Sequence, residues 1–218
     1  MIGEEGVKAL SDAAVLIVGV GGVGSYAAEA LARAGVGRIC VMDGDSVAKS
    51  NLNRQLIALE STVGQNKAEL MAGRIRDINS ETDVKAIADF YREGCDLAIE
   101  EYDWIVDAID DVNAKTALIA SATEKGVKIC SAMGAAGKFG TDFKMGDIAE
   151  TTVCPLAKVM RKRLREIGIE HLPVAYSTEK PIPREGVLGS ISYVPGSMGL
   201  VLAGYVIKQI TGIEGEHK

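Results

Sequence analysis

Four stretches of this 218-residue chain hold the residues best suited to chemistry. Gly19, Gly21 and Gly24 stand at G-x-G-x-x-G spacing, with Gly22 at one of the variable positions, directly after the apolar run 13–18 and at the head of a helical pattern. Glycines there let the backbone approach a phosphate, and the free N–H groups of the helix start favour an anion. Asp43 closes a second apolar run nineteen residues after Gly24, where a carboxylate accepts from ribose hydroxyls. Without a ligand the loop would be only a tight turn, and with one it suits NAD as well as an adenine nucleotide. The second stretch is polar: Asp43, Asp45, Ser50, Asn51, Asn53, Arg54 and Gln55, then Gln65, Asn66 and Lys67. A nicotinamide needs a flat apolar slot, whereas Arg54 and Lys67 with Asn51 between them suit negative charge building on phosphorus. A solvated loop is the plain alternative.

The third stretch ends the run Trp104-Ile-Val-Asp107-Ala-Ile with Asp110 and Asp111. Ligands of open α/β sheets bind outside strand C-termini, and Mg²⁺ takes one or two carboxylates plus phosphate oxygens and waters. Asp110 or Asp111 would equally serve as the cap of the helix that follows. The fourth is a dense basic cluster, Lys158, Arg161, Lys162, Arg163 and Arg165, fit for nucleic-acid phosphates. It is also the pattern of a helix with a solvated face opposite Leu156, Val159, Met160, Leu164 and Ile167.

The elements that must position these residues follow from hydrophobic periodicity. Strands are predicted over 13–18, 38–42, 84–88, 104–109 and 128–132, and helices over 23–34, 66–78 and 112–125. After a glycine-rich bend at Gly134, Gly137 and Gly140 the rhythm weakens. A basic helix over 156–167, a strand near Val174, a loop holding Pro181 and Pro183, and an apolar helix over 198–210 complete the chain. Alternating strands and helices predict an α/β, Rossmann-like fold with a mainly parallel, doubly wound sheet. With no repeat or linker, residues 1–218 are expected to form one domain.

Composition narrows the classes. Hydrophobic residues at 47% and charged residues at 25% exclude wholesale disorder. The net charge of −6 excludes a general basic coat, so any nucleic-acid contact must be local. Cys40, Cys95, Cys130 and Cys154 form no Cys-x-x-Cys pair, which speaks against structural zinc and a disulfide framework. The first residues lack an apolar leader and no run suits a membrane helix, so a cytoplasmic protein is expected.

The segments IGEEGVKAL, GVGGVGSYAAEALARAGVG, DGDSVAKSNLNRQ, GQNKAE and VDAIDD resemble the adenylating enzymes related to ubiquitin-activating enzyme, the ThiF/MoeB/HesA superfamily. The resemblance implies ATP in place of NAD, and the joining of AMP to a carboxylate. It places Gly22 on the ATP phosphates, Asp43 on the ribose, Asn51 and Arg54 on phosphate, Lys67 on the transferring phosphoryl group, and Asp110 on magnesium. Asp111 stands where the family often has Asn. Members that activate sulfur-carrier proteins usually show two Cys-x-x-Cys zinc pairs and a transfer cysteine, which this chain lacks.

From Val153-Cys154-Pro155 through Val174-Ala175-Tyr176 to Gly189-Ser190-Ile191 the chain looks like the tRNA threonylcarbamoyladenosine dehydratases, so the resemblance covers nearly all of it. That branch implies two steps beside the anticodon: adenylation of the threonylcarbamoyl carboxylate with release of pyrophosphate, then ring closure with net loss of water. It implies ATP, Mg²⁺, a tRNA partner on the basic helix, and a homodimer. Asp often stands there in place of Cys154, which is therefore expected to be a small buried hydrophobe rather than a nucleophile. Relatives also carry an upstream Arg that reaches a neighbouring subunit's ATP. The stretch 2–6 begins at Met1 without it, so slow adenylation is the expectation. The rival functions are an adenylator of a small ubiquitin-like or sulfur-carrier protein, an NAD-dependent oxidoreductase, and a non-catalytic nucleotide-binding scaffold.

Overall fold

In the computed structural model, which describes residues 1–182 and 189–213, short apolar runs become strands and amphipathic runs become their covers. The strands are β1 (Ala14–Val18), β2 (Arg38–Met42), β3 (Asp83–Ile87), β4 (Trp104–Asp107), β5 (Lys128–Ala132), β6 (Lys144–Asp147) and β7 (Pro173–Tyr176). The α-helices are α1 (Gly3–Asp12), α2 (Gly24–Arg33), α3 (Lys67–Ile78), α4 (Val112–Glu124), α5 (Pro155–Glu166) and α6 (Tyr193–Thr211). One sheet runs in the order β3-β2-β1-β4-β5-β7-β6. Every neighbouring pair is parallel except β6 with β7. The expected mainly parallel, doubly wound architecture is therefore present.

β1 shows why such a strand is apolar throughout. Val15 and Ile17 face a cluster with Leu31, Met71, Met198 and Leu202, from α2, α3 and α6. Ala14, Leu16 and Val18 face a second cluster with Leu118, Ile119, Met160 and Leu164, from α4 and α5. Successive side chains alternate faces, so a strand covered on both sides has no polar position to spare. The strand order reverses between β1 and β4, and this opens a crevice at their C-terminal ends.

Several boundaries differ from the sequence reading for local reasons. The strand expected to reach Ile109 stops at Asp107, because Ala108 and Ile109 turn to pack on Gly19. The last helix starts at Tyr193, five residues early, since Pro195 sits in its first turn, where no intrahelical N–H bond is lost. Gly199 lets it cross α2 closely: a Cβ there would lie 2.3 Å from the Val23 carbonyl oxygen. Helix α1 and strand β6 are additions. Leu10 is the one large side chain that α1 buries fully, and β6 (KMGD) has no apolar alternation. Pro183, expected in a loop, lies outside the described residues.

Candidate active site

The strand ends and loops at the crevice enclose a cavity of about 990 Å³. Gly19, Gly21 and Gly22 line one wall. Gly19 has φ +91°, and a Cβ on it would lie 2.6 Å from the Ala108 carbonyl oxygen, so both conformation and space demand glycine. Gly24 does not line the cavity. It lets α2 close onto β1, since a Cβ would meet the Gly19 carbonyl oxygen at 1.8 Å. Of the four glycines, three are placed to meet a ligand and the fourth is a packing glycine.

The exit of β2 is tied to the start of α3. Asn66 caps α3 by accepting from Glu69 N, and its amide donates to the carbonyls of Asp43 and Asp45. Lys67 N bonds the Asp45 carbonyl, so the first side chain of α3 points into the crevice. Its ammonium is 2.8 Å from the Asp45 carboxylate, and Lys67 is buried while Asp45 is half open. Asp43 accepts from Val20 N at 2.7 Å and Asp45 N at 2.8 Å. Burial pushes its carboxyl above the ordinary value of 3.8, against those two amides and Lys67, which pull it down. Asp43 therefore orders the glycine loop while lining the cavity itself.

Arg54 donates to the Ser50 carbonyl and the Asn53 side chain, and its aliphatic stem lies beside Gly22. Ser50, Asn53, Arg54 and Gln55 all line the cavity. Asn51 is buried, accepts from Ala48 N at 3.0 Å, and is not part of the lining. It holds the turn that carries Arg54, and Asn53, which lines the cavity, spends its amide on Ser190 and Arg54.

At the β4 exit, Asp110 is exposed and lines the cavity. Asp111 lines it too, but one oxygen caps α4 by accepting from Ala114 N at 2.8 Å. Asp110 thus lines the cavity alone, while Asp111 both lines it and caps α4. Asp107 is not with them: it is fully buried against Lys115 and Ser131. Among the described residues no group of three or more His, Cys, Asp or Glu could hold a metal alone. The donor set that does exist, one free carboxylate with a half-engaged neighbour beside a phosphate-sized loop, is the kind Mg²⁺ completes with phosphate oxygens and water.

The basic cluster divides. Lys158, Arg161, Lys162 and Arg165 share a surface groove with Glu166, while Arg163 turns to Asn113 of α4, a cavity residue. Arg161 is partly used, donating to Thr151. The helix buries Ala157, Met160 and Leu164, whereas Val159 and Ile167, expected on the apolar side, are exposed. Cys154 is buried as expected and also caps α5, its sulfur accepting from Ala157 N, a place that Asp fills by preference.

The sequence profile of the ThiF family matches residues 1–218. The chain belongs to the ThiF family. It is 41% identical over 231 aligned positions to tRNA threonylcarbamoyladenosine dehydratase of Bacillus subtilis, with 96% of this chain and 91% of the relative covered. The Escherichia coli enzyme of that name is 42% identical over 76% of this chain and 63% of its own length. A crystal structure of the E. coli enzyme in complex with ATP superposes with TM-score 0.89 at 35% identity, covering 96% of this chain and 90% of that one.

Several cavity residues of this ThiF chain escaped the sequence reading. Phe90 and Tyr91 strap the β3 side, Met133 to Ala136 with Leu156 wall the β5 side, and Pro195 stands beside Gly22. Asn53 donates to the Ser190 carbonyl at 2.7 Å and bridges the two halves of the chain. Apart from Asn53, which belongs to the polar stretch, none of these carries a local motif; each is placed by the crossing of distant segments. Lys115 had one signal available: a lysine in the first turns of a helix, eight residues after an aspartate that ends a buried strand.

Proposed function

We infer that this chain is an ATP-dependent adenylating enzyme that cyclises threonylcarbamoyladenosine in tRNA beside the anticodon. The observation that carries the reading is the convergence of the glycine loop, Asp43, Arg54, Lys67 and Asp110 on one cavity, in a chain aligned nearly end to end with dehydratases of that name. Gly19, Gly21 and Gly22 would cradle the ATP phosphates and Asp43 the ribose. Asp110, with the free oxygen of Asp111, would hold Mg²⁺, which shields phosphate charge. The threonylcarbamoyl carboxylate attacks the α-phosphorus, the bond to the bridging oxygen breaks, and pyrophosphate leaves. Arg54 and Lys67 face the charge that accumulates, and Asp45 keeps the ammonium aimed. The acyl adenylate is then attacked from within its own side chain, and AMP leaves as the ring closes. Holding both ends of one side chain in the cavity supplies the proximity this step needs.

The apolar wall of Met133, Ala135, Ala136 and Leu156 suits a nucleoside entering beside the nucleotide. Leu156 stands at the start of α5, whose outer groove of Lys158, Arg161, Lys162 and Arg165 would carry tRNA phosphates, with Arg163 nearer the cavity. We place the enzyme in the cytoplasm as a homodimer built from a single domain spanning 1–218, without structural zinc. The deciding experiment is mass analysis of nucleosides from tRNA incubated with this protein, ATP and Mg²⁺. A product lighter than threonylcarbamoyladenosine by one water, formed with AMP and pyrophosphate, is expected. Pyrophosphate release that needs a carrier protein in place of tRNA would sink it.

A further inference from the structure

The most deeply buried charges among the described residues lie just under the cavity and belong to none of the groups assigned above. Asp107 and Lys115 have no exposed side-chain surface, and their carboxylate and ammonium are 2.7 Å apart. Lys115 Nζ also donates to Ser131 Oγ at 3.0 Å, and that hydroxyl donates to the same Asp107 oxygen. The second oxygen, Oδ1, accepts from Ile109 N at 3.1 Å. Asp107 is the last residue of β4, in register with Ser131 of β5. Lys115 lies in the first turns of α4, its N–H bonded to the Asp111 carbonyl.

The cluster thus grips both ends of the segment 108–114. Within it, Ala108, Ile109, Asp110, Asp111, Asn113 and Ala114 all line the cavity. The same segment meets the phosphate loop, since Ala108 presses on Gly19. Burying an ion pair brings little net stability over an apolar pair of similar volume, so fold stability alone does not account for it. Its bonds have a directional consequence: they fix where the β4–α4 turn sits relative to the strand ends.

We propose that Asp107, Lys115 and Ser131 form a positioning clamp that sets Asp110 for the metal accompanying ATP. The proposal rests on the reading of the cavity as an ATP site. Asp107 and Lys115 touch neither nucleotide nor metal; they act through the turn. Partners of this kind, one step removed from a metal, typically change metal affinity by roughly 10–100-fold when removed.

The test is the double variant Asp107→Asn/Lys115→Met, which removes both charges together and keeps an acceptor for Ile109 N. ATP affinity is measured by calorimetry with Mg²⁺ and with a chelator, in wild type and variant, each also carrying Asp110→Ala. The clamp predicts unchanged affinity without metal and a loss of about tenfold in the Mg²⁺-dependent gain. It also predicts no further loss once Asp110 is gone, because both changes act on one ligand. An unchanged Mg²⁺ gain, or an equal loss in the Asp110→Ala background, overturns it. Should the double variant fail to fold, Ser131→Ala takes its place, with a smaller loss of the same sign expected and no loss overturning the proposal. Wild-type protein that binds no ATP would instead remove the underlying reading.

Discussion

A helix cap, one backbone bond and one carboxylate decide where Lys67 stands. Asn66 caps α3, the Asp45 carbonyl holds Lys67 N, and the Asp45 carboxylate meets its ammonium at 2.8 Å. A cation fixed before the reaction stabilises developing phosphate charge without reorganising. Lys67→Ala and Arg54→Ala are each expected to cut adenylation about 10²–10³-fold, the usual cost of one preorganised partner, with the fold intact. Near-wild-type pyrophosphate release from either variant would dismiss their role. At this scale the motif spacing correctly brought Asp43, Arg54, Lys67 and Asp110 to one place. It did not show that Asn51 would be buried against Ala48 while Asn53 lines the cavity, because composition carries no trace of how the turn folds. Lys115 left only a faint signal, its spacing of eight residues from Asp107, because a helix pattern does not say that a lysine turns inward to a buried aspartate.

Helices here carry both packing and charge, and the two can be separated. On α5, Lys158 and Arg165 are exposed and border the groove, whereas Arg161 and Arg163 are engaged with Thr151 and Asn113. Lys158→Ala with Arg165→Ala should therefore weaken tRNA binding. The slope of log affinity against log salt should fall by about one for each phosphate that is no longer neutralised. ATP affinity should not change, and an unchanged salt slope would reduce the groove to a solvated face. Between α2 and α3 the link is Glu29, which accepts from Arg74 and from Arg33. Burial raises its carboxyl, but the two guanidinium bonds outweigh it and hold it below the ordinary 4.5. A lowered carboxyl stabilises the fold above its unfolded value and stops doing so as pH falls through the folded one. Glu29→Gln should then cost about 1 kcal/mol at neutral pH, as partly exposed pairs do. The gap from wild type should close in denaturation curves taken progressively below pH 4.5. A gap that stays constant with pH would mean that the charge on Glu29 contributes nothing.

The whole molecule was legible where one rule governs a long segment. Buried parallel strands must be apolar, and so β1, β2 and β5 were found within one residue of their ends, while α1, β6 and the β5 side of the cavity depend on packing between segments far apart in sequence. That long-range packing has a thermodynamic consequence. The cavity is walled by Gly19 to Gly22 and Asp43 from the first half, and by Met133 to Ala136 and Pro195 from the second. The two halves also share one sheet through β4 and β5, and one apolar cluster joins α2 to α6. A ligand filling the cavity then binds only the assembled chain, and it stabilises by RT ln(1 + [L]/Kd), about 2.7 kcal/mol at a hundredfold excess over Kd. Calorimetric melting should show a single transition that moves upward with Mg²⁺ and ATP and stays put with NAD. Arg54 and Lys67 are expected to make the difference, since a triphosphate brings them more negative charge to neutralise than the diphosphate of NAD, whose nicotinamide is itself cationic. Two separate transitions, only one of them shifted by ATP, would show that the halves unfold independently. A shift with NAD as large as that with ATP would return the glycine loop to the dinucleotide reading it shares by motif.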